Sequence, residues 1–338
     1  FHEALEKCRY TSLDDEEEYS IDVIQPEKIE FKQNSYEDGE NSIISFPEFL
    51  LLVLDVCTGG EQPASHYQPD KLIEKFDALK THFTAGEFYE KMLYYRLLLD
   101  YYTIRRDIKD GQGNYSLILK GPKDDNDKLK QYQSMLYVST EAFYNWLKPY
   151  LRKLEQDELQ SCAEMLAFLK KEDNERHGVL PARKDLSYKA SGNIRYWFWR
   201  LDYYLWEQRS TFFNEEEQKI VGHYVFRRNR SIEHLHPQDE SHNEEWEEEA
   251  VHSFGNLAMI SQSFNSQQSN DHIQIKFARI HEQISNKSLQ SIKMFLMCKL
   301  ADFNYQNWTM KLAKEHEDKM IEFLRQSYVC DIILSGPS

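Results

Sequence analysis

Basic charge is scarce in this chain. Against 57 Asp and Glu stand 41 Lys and Arg, so the formal charge is 41 − 57 = −16. Binding to a phosphate polymer draws its affinity from cations. In a chain this acidic, such binding requires the basic residues to gather locally. Glycine and proline are also few, 12 and 9 among 338 residues. That argues against an all-β or loop-rich fold, because tight turns depend on both. The five cysteines (Cys8, Cys57, Cys162, Cys298, Cys330) are scattered, odd in number and form no C-x-x-C pair. A zinc ribbon or disulfide framework is therefore disfavoured, and a reducing cytoplasm fits. A long apolar run is missing as well. Phe49 to Val56 is short and contains Asp55, whereas a spanning helix needs about 20 apolar residues. No signal-peptide pattern is present. Asp110-Gly111-Gln112-Gly113-Asn114 faintly echoes a phosphate loop but lacks its strand-loop-helix context and its lysine. The first residue is Phe1 rather than Met, which reads as a fragment or a processed product.

What the chain does have is aromatic residues, 21 Tyr and 19 Phe, enough for a sizeable core in about two domains. An acidic segment, 1–42, comes first, with the run Asp14 to Glu18 and two short apolar pairs at Val23-Ile24 and Ile29-Phe31. A helical scaffold is expected over 43–130. Ser45, Pro47 and Glu48 form a helix start, and Thr84 opens a long helix to about Arg106 with Phe88, Met92, Tyr95, Leu99 and Tyr102 along one face. A second helical domain is expected over 131–328, ending in a frayed tail, 329–338. Pro149 is expected to kink or break a helix there, and Glu172 to Asp185 reads as polar loop. Ile194 to Trp206 is an aromatic helix. It either packs as core or stacks on bases with its arginines, and the packed reading is the stronger.

The stretch that carries chemistry runs from Arg227 to Asn270. Tyr224-Val225-Phe226 and Ser231 to His236 have strand character, which Pro237 should end. A turn at Gly255-Asn256 leads into the apolar strand Leu257 to Ser261, and Ile273 to Ile280 reads as a helix. The predicted order is strand, long loop, strand, helix. A neutral histidine can take a proton from water near neutral pH. Mg²⁺ takes oxygen ligands, so one carboxylate and one amide oxygen suffice from the protein. Glu233 and His234 are neighbours, however, and neighbours on a regular strand point to opposite faces. One site for both needs a distorted strand or Glu233 at the pocket edge.

Ile232-Glu233-His234-x-x-Pro237-Gln238, then Gly255-Asn256-Leu257-x-x-Ile260-Ser261, then Asn265-Ser266-x-x-Ser269-Asn270 resemble the C-terminal nuclease domain of GmrSD-type modification-dependent restriction endonucleases. That family belongs to the His-Me finger, or HNH, nucleases. The resemblance implies a mainly α fold with a small embedded ββα-metal motif at about 219–282. It implies His234 as general base, Asn256 as the residue holding the base's loop, and Asn265 with Glu233 as ligands of Mg²⁺ or Mn²⁺. His236 is the alternative base. Lys276 matches a lysine of the family's pattern and would contact phosphate, together with the arginines Arg227, Arg228 and Arg230. Arg195 and Arg200 sit nearby in sequence. The bland alternative pairs all these arginines with surface carboxylates. The last ligand is Asn where many HNH proteins have His.

Weaker likeness extends over Phe46 to Leu51, Asp70 to Leu72 and Tyr94 to Arg106, so that it covers about 43–326. The implied activity is cleavage or nicking of DNA, modified or unmodified, in a prokaryotic cytoplasm as phage defence. The implied partner is an N-terminal ParB-like nucleotide-binding domain, whose Asp-Gly-Gln-Gln-Arg motif this sequence lacks; an oligomer is possible and a membrane role is not expected. Two rivals remain open, a catalytically silent helical DNA- or protein-binding module and an RNA substrate. The loop Asp239 to Glu249, with seven acidic residues, is either a solvated insertion or a device that repels DNA until displaced.

Overall fold

The computed structural model describes residues 39–108, 115–123, 125–139, 142–228, 230–238, 246–261 and 273–334. Among them the fold is mainly helical with two small antiparallel sheets. The expected helix starts form as capping boxes. Ser45 accepts from the Glu48 amide while Glu48 reaches back to the Ser45 amide at 2.7 Å, and Thr84 and Glu87 do the same. Each box satisfies two backbone N–H groups that a helix end would leave orphaned. The helices they open are α1 (Phe46–Cys57) and, after α2 (Leu72–Leu79), α3 (Ala85–Tyr102). The first sheet pairs β1 (Gly39–Ser42), β2 (Arg105–Ile108) and β3 (Tyr115–Ile118) in that order. β1 is the polar GENS, which carries no strand signal, and β2 begins at Arg105, where the long helix was expected to end.

Four more helices follow: α4 (Asp127–Val138), α5 (Phe143–Glu155), α6 (Cys162–His177) and α7 (Arg195–Glu207). Two expectations are corrected here. Pro149 lies inside α5, which continues through it. The polar stretch after Glu172 extends α6 to His177, because Asp173 is an anchor rather than a solvent-facing loop residue. Its buried carboxylate accepts from Tyr132 and Tyr196 at 2.7 Å and pairs with Arg200 at 3.2 Å. Arg200 further donates to Asn174 and Ser327 and is 2% exposed. It is thus a core residue and not part of a phosphate-binding cluster; Arg195 is exposed.

Helix α7 is the centre of the molecule. Every residue from Tyr196 to Trp206 is buried, as expected for a helix apolar on all sides. It packs against α4, strand β5 (Leu257–Ser261), and the C-terminal helices α12 (Ile292–Leu300) and α13 (Met310–Leu334). The aromatics therefore serve as core, not as a base-stacking surface. One continuous core cluster includes residues from Ile43 to Leu324. Between α7 and β5 lie the short α8 (Arg209–Phe212), α9 (Glu215–Gly222), strand β4 (Arg230–His234) and α10 (Glu248–Val251); α11 (Ile273–Ser285) follows β5. Tyr224 to Phe226, expected as strand, is not one. Its Tyr224 instead bonds Asp202 and Gln131. No helix among the described residues is long and apolar enough to cross a membrane.

Candidate active site

Strands β4 and β5 pair antiparallel, with Glu233 opposite Ala258 and His234 opposite Leu257. The period-2 alternation of a strand sorts their side chains. Leu257 and Met259 join the main core. Ala258 and Ile260 join a second cluster with Phe277 and Ile280 of α11. Directly opposed residues share a face, so Glu233 lies on the α11 side and His234 on the other. Their partners agree. The Glu233 carboxylate pairs with Lys276 of α11 at 2.5 Å. The His234 ring lies edge-on to Tyr188 at 4.6 Å and bonds Gln238 and His252.

Lys276 is 2% exposed and also donates to the backbone oxygen of His234 at 2.5 Å. The structure thus places it between the two motif residues, as a buried clamp on the strand end. Arg228 lies over the Tyr137 ring at 3.9 Å and Arg227 reaches the Tyr115 carbonyl. The side chain of Arg230 lies outside the described residues, as does Asn265. The acidic stretch 239–245 also lies outside them, while Glu247 and Glu249 border a groove of about 910 Å³ with Lys184, Lys311 and Lys314.

Asn256 is fully buried and all four of its amide hydrogen-bonding positions are used. Its Oδ1 accepts from the His236 amide at 2.8 Å and from Trp308 Nε1 at 3.2 Å. Its Nδ2 donates to the carbonyls of His236 at 3.0 Å and Val251 at 2.9 Å. The Asn256 carbonyl accepts from Leu235. One side chain therefore fixes the chain just past His234 from both sides. The turn carrying Asn256 is itself held from below. The buried Lys293 donates to the carbonyls of Phe254 and Leu257, and burial pulls its amine down to about 7. Gly255 lies so close to α13 that a Cβ there would sit 2.1 Å from the Ala313 carbonyl oxygen.

His234 is 4% exposed. Burial, with the charges of His252 and Lys276, lowers it to about 3. The imidazole is neutral at physiological pH and, held at about 3 by burial and its neighbours, is a weak base in this closed arrangement. His252 is shifted down too, first by burial and then by Lys189. His236 stacks flat on Trp246 at 4.0 Å. Its backbone, rather than its ring, takes part in the Asn256 network.

The residues that sequence reasoning missed are His252, Tyr188, Lys293 and Trp308. Gln238 was within the quoted motif without a role. His252 stands four positions before Asn256, in the segment that the strand-loop-strand order leaves between the motifs, so only its position beside the motif could have marked it. Among the described residues no group of three or more His, Cys, Asp or Glu is arranged to hold a metal ion.

Residues 181–323 match the family model described as GmrSD restriction endonucleases, C-terminal domain. No curated protein and no solved structure matches the chain.

Proposed function

We propose, from the match of residues 181–323 to the family model of the C-terminal domain of GmrSD restriction endonucleases, that the chain is a metal-dependent DNA endonuclease with a His-Me finger site. The observation that carries this reading is the Asn256 network. It pins the loop after the buried His234 at the end of a two-stranded hairpin, with α11 packed on the hairpin's opposite face. In this reading His234 takes the proton of the attacking water and Asn256 fixes the loop that carries it.

Glu233 would supply a carboxylate oxygen and Asn265 an amide oxygen to Mg²⁺ or Mn²⁺, which for Glu233 requires its carboxylate to leave Lys276 on the α11 side of the hairpin. When bound, such an ion stabilises charge developing on the scissile phosphate. Lys276 holds the Glu233 carboxylate on the α11 side and the strand backbone at His234 together. Arg227 and Arg228, with the lysines of the groove at Lys184, Lys311 and Lys314, are the cations available to phosphates. The biological setting is restriction or phage defence, with modified DNA as substrate and a ParB-like nucleotide-binding domain as partner.

One observation favours the second reading, a silent DNA- or protein-binding module: both ring nitrogens of His234 and one oxygen of Glu233 are already engaged. Matched DNA and RNA substrates, incubated with Mg²⁺, with Mn²⁺ and with EDTA, separate the readings. Cleavage of DNA that needs either cation and stops with EDTA is the expected result. Cleavage of RNA alone would move the substrate class. Retention of DNA without cleavage under every condition, including with the full-length protein, would leave the binding module.

A further inference from the structure

A neutral imidazole has one nitrogen that donates and one that accepts, and its partners decide which. His234 has two partners of different character. At Nδ1 stands the side-chain amide nitrogen of Gln238, 2.9 Å away. Gln238 is exposed and lies at the end of the motif loop. At Nε2 stands Nδ1 of His252, 3.1 Å away. His252 is held on several sides. Its carbonyl accepts from Ser187 Oγ at 3.1 Å and from the Tyr188 amide at 3.0 Å, and its ring stacks on Tyr188 at an interplanar angle of 14°.

With the Gln238 amide nitrogen at Nδ1, that nitrogen of His234 offers its lone pair; water can replace this exposed side chain, so the partner that holds the tautomer in its absence is the buried His252. The ring proton then resides on Nε2 and is donated to Nδ1 of His252. For His252 to accept there, its own proton must sit on Nε2. Of the two nitrogens of His234, the one facing the exposed glutamine is the one a water molecule can reach, by taking the amide's place. The other is closed off by a clamped ring.

We propose that His252 is the positioning residue of this site: by accepting the Nε2 proton of His234 it locks the tautomer whose Nδ1 lone pair faces the position now held by Gln238. The proposal rests on the nuclease reading only for the use made of that lone pair; the tautomer itself is a property of the resting protein. Histidines that ligate metals depend on such a partner at the far nitrogen, and its loss lowers affinity or activity by about 10- to 100-fold; a comparable loss is expected here.

The test is a two-bond ¹H–¹⁵N correlation spectrum of protein labelled at histidine, with the His234 signals assigned by their loss in His234→Asn. The proposal expects a protonated Nε2 and a bare Nδ1 at His234. Gln238→Ala, at an exposed position, should leave that pattern unchanged. His252→Asn, which can still present an acceptor, should keep it too. His252→Leu should lose it and lower kcat about 10- to 100-fold at unchanged KM, with the thermal midpoint confirming that the variant folds.

A proton on Nδ1 in the parent protein would overturn the proposal. So would a tautomer that changes in Gln238→Ala and not in His252→Leu. The predicted tautomer in a protein that cleaves nothing would defeat the nuclease reading and leave the role of His252 intact.

Discussion

Asn256→Ala is expected to destabilise the protein by about 4 kcal/mol and to abolish cleavage together with the fold of the loop. The size follows from what the substitution strands. Four buried polar groups lose their partner: the amide and carbonyl of His236, the carbonyl of Val251 and the indole N–H of Trp308. An orphaned buried group costs about 1–3 kcal/mol, and partial collapse of the site recovers some of the sum. Asn256→Asp separates the parts of the effect. A carboxylate can still accept from His236 and Trp308 but cannot donate to the two carbonyls, so it sets acceptor against acceptor. It should also be severely destabilised. Urea midpoints compared with those of Asn307→Ala, a substitution at an exposed position in the short turn Tyr305–Asn307, measure the difference. An Asn256→Ala protein as stable as its parent would mean the loop is held by something other than this amide.

The second large effect lies away from the site, at Asp173. Its carboxylate receives two tyrosine hydroxyls and faces the fully buried guanidinium of Arg200. Asp173→Ala leaves that cation without its carboxylate, for which the expected loss is about 3–5 kcal/mol. The same residue sets a limit on acid stability. Burial pushes its pKa up, but the hydrogen bond from His177 and the charge of Arg200 outweigh burial and hold it below the ordinary value. A depressed folded pKa means that the unfolded chain binds the proton more readily. The stabilisation is therefore complete above the unfolded value of about 4 and is lost as pH falls through the lower folded value. Urea midpoints from pH 7 to pH 3 should decline in the parent, and this decline should be shallower in Asp173→Asn. An equal decline in both would assign the acid sensitivity elsewhere.

The two anchors differ in how visible they were in the sequence. Asn256 stood in a motif, and its task of holding a loop followed from the resemblance; the hydrogen bonds then supplied the partners. Asp173 sat in a polar stretch that reads as loop, because charge in a sequence suggests solvent. Only the third dimension shows that Tyr132, Tyr196 and Arg200 converge on it from two other helices. Pro149 misled for a related reason, since local propensity for a break was overridden by packing of Trp146, Tyr150 and Leu154 into the core. The helix starts at Ser45 and Thr84 were legible because capping is written in four consecutive residues.

Within the site, the strand-loop-strand-helix order was legible from periodicity and turns. The two-sided placement of Glu233 and His234 followed from strand geometry, and Lys276 bridges the strand end between them. What could not be read was which cations would be buried. Lys276 and Arg200 look like surface charge in sequence, and both turn out to satisfy buried acceptors.

In the proposed reaction His234 is the group that activates water. The most direct test of that role is conversion of supercoiled plasmid to nicked or linear form with Mg²⁺, by the parent and by His234→Ala. Loss of a general base typically costs about 10²–10⁴-fold in rate, so Mg²⁺-dependent conversion by the parent and a fall of that order in the variant are expected. A His234→Ala protein that folds and cleaves as fast as its parent would contradict that role.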